Sequence, residues 1–308
     1  MAVLGHQLQT YATTAGARED ILDLITQVDP EETPIFSRLG VSKAAGRYHE
    51  WLNDTLESGT GSGGAALEGA AAAGRRLSAR SRNYNICQIS TYIFGISGTQ
   101  EAIAQYGLDS EYSYQLEKAM KILKVMQEQI LINSTYAFDV PESFQCATAA
   151  RTLRGIFAAI TTNVKTGSAG SCALTETIFN NLLQTIFENG NDYPDTAFVN
   201  GFNKRKISSF SSNNVRYINM QNERTLRNTI VAYESDFGTI STVLDRWLPK
   251  GDFPVMAMKD WKIAYLRKPF VQQLGIAGDA KEAQIITEYT LEHLCESNSG
   301  KVTGLATA

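Results

Sequence analysis

Residues 108 to 132, LDSEYSYQLEKAMKILKVMQEQILI, constrain this chain more than any other stretch. Leu108, Tyr112, Leu116, Ala119, Leu123, Met126 and Ile130 recur every three or four residues, so they share one face at the helical period. No Gly or Pro interrupts the run. Asp109 and Glu111 place negative charge in the first turn, where the helix dipole favours it. Glu117 and Lys121 are spaced for an i,i+4 pair with the acid on the N-terminal side. At ~1.5 Å per residue the helix is roughly 35 Å long, about twice the usual globular length. Ile122, Val125, Leu131 and Ile132 add apolar surface off the stripe. The second half is therefore expected to be covered on more than one side, and the other elements are expected to be hung along this beam.

The stretch before the helix is unusual in a different way. Gly46 to Leu56 reads as one strand, with Tyr48 and Trp51. Asn83 to Ile96 reads as a second, rich in β-branched and aromatic residues. Between them SGTGSGGAALEGAAAAGRRLSARSR has almost nothing to bury. Loops of that length inside compact domains are rare and usually functional or disordered. The pattern predicts a long hairpin with a flexible tip. A lone two-stranded ribbon is marginal in water, and no cover for it is visible in the chain. A neighbouring subunit is the expected source of that cover.

Bulk properties exclude several function classes. A length of 308 residues allows about two domains. A formal net charge of -4 argues against a dedicated nucleic-acid binder, which would be basic. No apolar run approaches the ~20 residues of a membrane span. The N-terminus lacks the basic and apolar regions of a secretory signal. Cys87, Cys146, Cys172 and Cys295 form no CxxC pair, and His6, His49 and His293 are scattered. Isolated thiols fit a reducing compartment. Nothing has zinc-ligand spacing, so neither a metal nor a cofactor is expected.

The first 16 residues read as a mobile arm and 17 to 28 as a short amphipathic helix ended by Asp29-Pro30. Thr33-Pro34 is expected to kink the chain, with Ile35, Phe36 and Leu39 to bury. Thr99 to Tyr106 reads as helical turns and Arg151 to Ile160 as a short apolar segment. Residues 174 to 190 form a helix capped by Thr175, with Ile178, Phe179, Leu182, Leu183, Ile186 and Phe187 on a broad apolar face. Gly190 is expected to stop it in the left-handed region. Thr196 to Val199 reads as a buried strand, and Asn200 as the cap of a basic helix holding Lys204, Arg205 and Lys206. Strands are then predicted at 216 to 219, 229 to 234, 240 to 244, 255 to 258 and 261 to 266. Gln284 to Glu296 and Val302 to Leu305 are predicted to be joined as a hairpin by SNSGK.

Short motifs do not survive their contexts. Gly59, Gly61 and Gly64 spell GxGxxG, but no βαβ unit surrounds them. Asp236-Phe237-Gly238 lacks the other elements of a kinase and reads as a turn. Glu288, Glu292 and Glu296 share one strand face, where facing water or a basic neighbour fits better than acid-base catalysis. Arg75, Arg76, Arg80 and Arg82 beside the flexible tip read as solvated charge or as partners for acids on another subunit.

The order of parts, with several segments, resembles a known family. The segments are DPEETPIFSRLG at 29 to 40, EYSYQLEKAMKILK at 111 to 124, FENGNDYPDTAFVNGFNKRKISSF at 187 to 210, YESDFGTISTVLDRWLP at 233 to 249, RKPF at 267 to 270 and EYTLEHLCESNSGKVTGL at 288 to 305. In these the chain resembles the SU10-type major head proteins of tailed bacteriophages, with the HK97-like capsid fold, over nearly its whole length. The resemblance implies an α+β fold divided into an N-terminal arm (1–45), an extended hairpin loop (46–97), a peripheral domain with the spine helix (98–160), an axial domain (161–267) and returning peripheral strands (268–308). It implies no enzyme activity but self-assembly of hexamers and pentamers into an icosahedral shell around double-stranded DNA. It further implies a scaffolding protein, a portal and decoration proteins as partners, assembly in the bacterial cytoplasm, and a place in the virion. Ring-closing contacts of this kind are heterologous, and many weak ones hold a shell together by multivalency.

Tyr48, Trp51, Arg75, Arg76, Arg80, Lys204 and Arg205 are the expected interface residues, the aromatic pair as anchors. Some members of the fold cross-link a loop lysine to a neighbour. This chain has no lysine between Lys43 and Lys118, so a non-covalent shell is expected. With about 17 residues before the first helix, no built-in scaffolding segment is expected. The rival readings are a compartment shell of the same fold, which would store enzymes, and a nucleotide-dependent soluble enzyme, which would lose ligand on Gly61→Val.

Overall fold

The structure, a computed structural model, describes residues 27–56, 68–69, 79–103, 107–135, 150–167, 172–210, 232–275 and 278–306. The expected arm at 1 to 16, most of the first helix, the GxGxxG stretch and the strand expected at 216 to 219 lie outside them. In chain order the elements are α1 (Pro34–Arg38), β1 (Gly40–Lys43), β2 (Tyr48–Asn53), β3 (Ser81–Ile86), β4 (Gln88–Ser97), α2 (Gly98–Ala102), α3 (Glu111–Asn133) and α4 (Ile156–Ala159). They continue with β5 (Val164–Thr166), α5 (Glu176–Asn189), β6 (Thr196–Val199), α6 (Gly201–Ser209), β7 (Ala232–Ser235), β8 (Gly238–Leu244), β9 (Phe253–Met256), β10 (Trp261–Gln273), β11 (Ala280–His293) and β12 (Gly300–Thr303).

The predicted beam is α3. Ser110 caps it by accepting from Ser113 N at 3.4 Å, and Glu101 accepts from Tyr112 N at 3.1 Å. Leu108 lies before the helix. The first half buries Ala119 and Leu123 against Phe94, Ala283 and Ile285, which line one face of the sheet β1-β10-β11-β4. The second half buries Leu131 and Ile132 in a larger core with Ile35, Leu153, Ile156, Phe198, Trp261, Tyr289 and Leu291. Of the off-stripe residues Leu131 and Ile132 are thus covered, while Ile122 and Val125 stay half-buried. Glu117 and Lys121 pair at 3.4 Å, and Lys121 also reaches Glu31.

A second sheet, β5-β12-β9-β6-β8-β7, carries α5 and α6 over a core of Phe179, Leu182, Leu183, Ile186, Val199, Ile207, Phe253, Val255 and Val302. Thr175 caps α5, accepting from Ile178 N at 3.3 Å, and Asn200 caps α6, accepting from Asn203 N at 2.9 Å. Gly190 ends α5 with φ -91, so the left-handed stop does not form. Glycine is required there for space: a Cβ would sit 2.7 Å from Ile186 O and 2.9 Å from Ser297 O. Phe187 departs from the predicted apolar face and is 52% exposed.

Three expectations fail for reasons of partner choice. Thr33-Pro34 starts a helix instead of an extended kink, because Pro at the first helical position gives up only an N–H that has no intrahelical partner. The run from 83 to 96 is two strands, not one. The chain bends at Cys87, β3 pairs with β2, and β4 pairs with β11. The expected final hairpin is absent: β11 belongs to the first sheet and β12 to the second, where it pairs with β5 and β9. A 3-10 turn at Glu296–Asn298 carries the chain across. Asn298 fixes that turn, accepting from Asn191 N at 2.9 Å and donating to Asp260 Oδ2 at 2.6 Å. Trp261 donates to Ser299 Oγ at 2.9 Å.

Candidate subunit interface: a ribbon rooted at one end

β2 and β3 pair antiparallel from Tyr48↔Ile86 to Asn53↔Ser81 and form a sheet of their own. Burial falls along this ribbon. At its root Asn85, Ile86 and Cys87 are fully or almost fully buried, at 0%, 2% and 0% exposure. Past Trp51 the exposure rises, with Leu52 at 62% and Leu56 at 99%. Asp54, Thr55, Arg80, Ser81 and Arg82 are all exposed.

The root is held by the same chain, which corrects the expectation that the chain offers no cover. Trp51 is 9% exposed and packs edge-on against His293 of β11, with ring centroids 4.8 Å apart. Its indole therefore anchors the ribbon inside its own subunit. Burial and Arg154 push His293 down to about 4, so the imidazole is neutral and behaves as a packing surface. His49 lies 3.1 Å from Glu292, which also accepts from Ser42 Oγ at 2.6 Å. Burial alone would raise the Glu292 carboxyl, but Ser42, His49 and Lys262 hold it below its ordinary range. Asn53 donates to Leu294 O at 2.9 Å. Asn85 donates to Leu291 O at 2.8 Å and to Arg154 O at 3.1 Å, and accepts from Arg154 N at 2.8 Å. Cys87, pushed up to about 11 chiefly by burial, is a protonated thiol and a small core side chain.

The other singled-out residues separate from one another. Tyr48 is half-buried beside Tyr84, with Arg47 over its ring at 4.8 Å. Arg80 is exposed and meets Asp54 at 3.5 Å, a pair worth little in water. Arg75 and Arg76 lie outside the described residues. Lys204 turns inward to Thr242 O at 3.1 Å and to the Thr242 hydroxyl, and burial lowers it from its ordinary value. Arg205, next along α6, is exposed. The structure does not bring the ribbon residues and the α6 pair into one site.

The three glutamates also find separate roles. Glu288 is 5% exposed and bound by Arg151 at 2.9 Å and Arg267 at 2.8 Å, so it is a buried clamp and not a solvated strand end. Glu292 belongs to the ribbon root. Glu296 lies past the strand and accepts from Thr161 N at 3.0 Å. None lies free beside another carboxylate, which removes the geometry of an acid-base pair. Among the described residues no cluster of His, Cys, Asp and Glu is arranged to hold a metal, and no helix is long and apolar enough to cross a membrane. Sequence reasoning missed Asn85, the residue that ties the ribbon down. No signal set it apart, because Asn83 and Gln88 are amides in the same run.

The RKPF segment sits on the exposed half of β10. β1 covers β10 only from Lys262 to Tyr265. Beyond that the strand is an edge among the described residues, and Pro269 with two register shifts there disfavours further pairing.

Comparison with known proteins places this architecture. A curated major capsid protein of Escherichia phage Phieco32 is 30% identical over 125 residues, 41% of this chain. The match spans 35% of that relative's length. A capsid subunit of cyanophage A-1(L) superposes with a TM-score of 0.67 at 11% identity, covering 97% of this chain and 99% of that one. An encapsulin, SrpI of Synechococcus elongatus PCC 7942, superposes with a TM-score of 0.58 at 10% identity, covering 92% and 93%. At those identities the likeness is one of fold, and the fold is the HK97-like one. The family described as SU10 major capsid protein matches residues 7–306, nearly end to end. The chain belongs to the SU10 major capsid protein family.

Proposed function

We propose that this chain is a shell-forming structural subunit, the major capsid protein of a tailed phage, whose copies enclose double-stranded DNA. The observation that carries the reading is the ribbon: rooted in its own subunit, with its distal half bare. Such a half-buried ribbon gains stability only against another surface. Leu52, Leu56, Arg80 and Arg82 are the exposed residues that would meet that surface. Family membership over residues 7–306 supports another copy as its source. The contact is heterologous, so it propagates around rings of five and six subunits.

The role is mechanical, and no residue is given a catalytic part. The two sheets suggest a peripheral lobe around α3 and β1-β10-β11-β4, and an axial lobe around β5-β12-β9-β6-β8-β7. Arg205 on α6 is the better candidate for contact between axial lobes, because Lys204 is engaged within the subunit. Portal, scaffolding and decoration proteins are proposed partners, and the virion is the proposed location, reached after assembly in the bacterial cytoplasm.

Size-exclusion chromatography and negative-stain microscopy of the expressed chain test this directly. Megadalton hollow particles are expected; a monomer or small oligomer under all assembly conditions overturns the reading. Particles carrying protein cargo and no nucleic acid would move the assignment to a storage compartment. Denaturing gels of assembled particles are expected to show one band at monomer mass, since the ribbon holds no lysine. A ladder of multimers would overturn the non-covalent shell.

A further inference from the structure

Two carboxyl groups are buried where three segments meet, and the shell reading gives them no task. Glu128 of α3 is 0% exposed, and Asp245, just after β8, is 2% exposed. Glu128 accepts from Ile35 N at 2.9 Å and from Phe36 N at 2.6 Å, the first amides of α1. Asp245 Oδ1 accepts from Trp247 N at 2.9 Å, and its own N–H bonds Val199 O at 3.0 Å. Its Oδ2 is buried with no donor to satisfy it, and the Asp245 and Glu128 carboxyls lie close enough to interact. The Trp247 indole donates to Glu32 O at 2.8 Å, so the 245–247 turn holds the same N-terminal segment that Glu128 holds.

We propose that Glu128 and Asp245 form a proton-held clasp that fastens residues 31–39 to the long helix and to the end of β8, and loosens as the proton leaves. With one proton between them the two acids attract through a hydrogen bond. Without it they are two like charges in a buried space. Among the described residues no cation relieves them. Glu31 and Glu32, ahead of α1, are exposed and already paired with Lys121 and Arg246. Arg38 at the end of α1 and Lys124 of α3 are exposed, and α4, packed alongside, carries no charge. Among the described residues no ion pair reaches either carboxyl.

The direction of the pH response follows. Glu128 is raised from 4.5 to about 7, chiefly by burial, against the pull of the two backbone amides. Asp245 is also raised, again chiefly by burial. When the segment opens, Glu128 meets water and regains its ordinary acidity. The closed form therefore holds a proton that the open form releases between pH 4.5 and about 7. The clasp is tightest below that window and weakens as pH rises through it. Above it the response is flat.

Hydrogen exchange of the purified full-length protein tests this, with rates corrected for the intrinsic effect of pH. Between about pH 5 and about pH 7.5 the opening constant at the Ile35 and Phe36 amides is expected to rise on the order of a hundredfold. Glu128→Gln, which cannot ionise and keeps one of the two acceptors facing α1, is expected to be flat to within about threefold. Asp245→Asn, whose amide donates to an ionised Glu128, is expected to shrink the response and serves where Glu128→Gln does not fold. A flat wild-type profile, or a full response in either variant, overturns the proposal. The readout lies within one subunit and does not depend on shell formation.

Discussion

Removal of residues 59 to 74 is expected to leave the subunit folded while lowering the yield of closed shells roughly tenfold or more. The described cores draw nothing from that stretch. They lie around α3, on the two sheets and at the ribbon root. Shortening the connection between β2 and β3 changes its closure entropy by about 1 kcal/mol or less, so the melting temperature should move by only a few degrees. Assembly is expected to respond differently because, on the proposed reading, every subunit would lose the same contact. A shell is a multivalent object, and a small loss at each joint multiplies over the lattice. Thermal melts and particle counts on the same preparation separate the two effects. Shells at wild-type yield would mean that the distal ribbon does not lie across a neighbour.

Asn85→Leu is expected to cost the subunit about 3–6 kcal/mol. The side chain is fully buried and makes four hydrogen bonds to main-chain groups: Leu291 O, Arg154 O, Arg154 N and Ile86 N. Leucine keeps the branched outline but is bulkier, so some overpacking at this fully buried site adds to the loss of the polar contacts. Each buried main-chain group left unpaired costs about 1 kcal/mol or more. The melting temperature should fall by roughly 5–15 °C, with exchange at Ile86 and Arg154 accelerating first. Asn85→Asp, which turns a carboxylate oxygen toward the Leu291 and Arg154 carbonyls, is expected to cost at least as much near neutral pH. A loss under about 1 kcal/mol would show that water or a small shift re-satisfies these groups, and that Asn85 is not the pin of the ribbon.

The helices were legible because their information is local. The stripe from Tyr112 to Ile130, the Thr175 cap before Ile178 and the Asn200 cap before Asn203 each lie within a few residues of what they predict. Strand positions were legible for the same reason, through β-branched runs such as Thr196 to Val199. Strand partners were not. Nothing between Asn83 and Ile96 announces that the chain leaves β2 and joins β11 at Cys87, since one propensity serves either ladder. The SNSGK turn spells a hairpin equally well whether or not the next strand turns back. The buried carboxyls show the same limit. Glu128 reads as surface charge until α1, ninety residues earlier in the chain, is seen to supply its donors.

The amino-acid order alone determined the long beam, the capped helices and, through six segments spread from 29 to 305, the family. Periodicity, capping and family wording are all written in neighbouring residues. The tertiary structure alone decided that Trp51 and Asn85 root the ribbon at home, that β11 and β12 part into different sheets, and that two acids share a buried space. Those outcomes depend on which distant surface supplies a partner, and the free energy of burying a group is set by that partner as much as by the group itself.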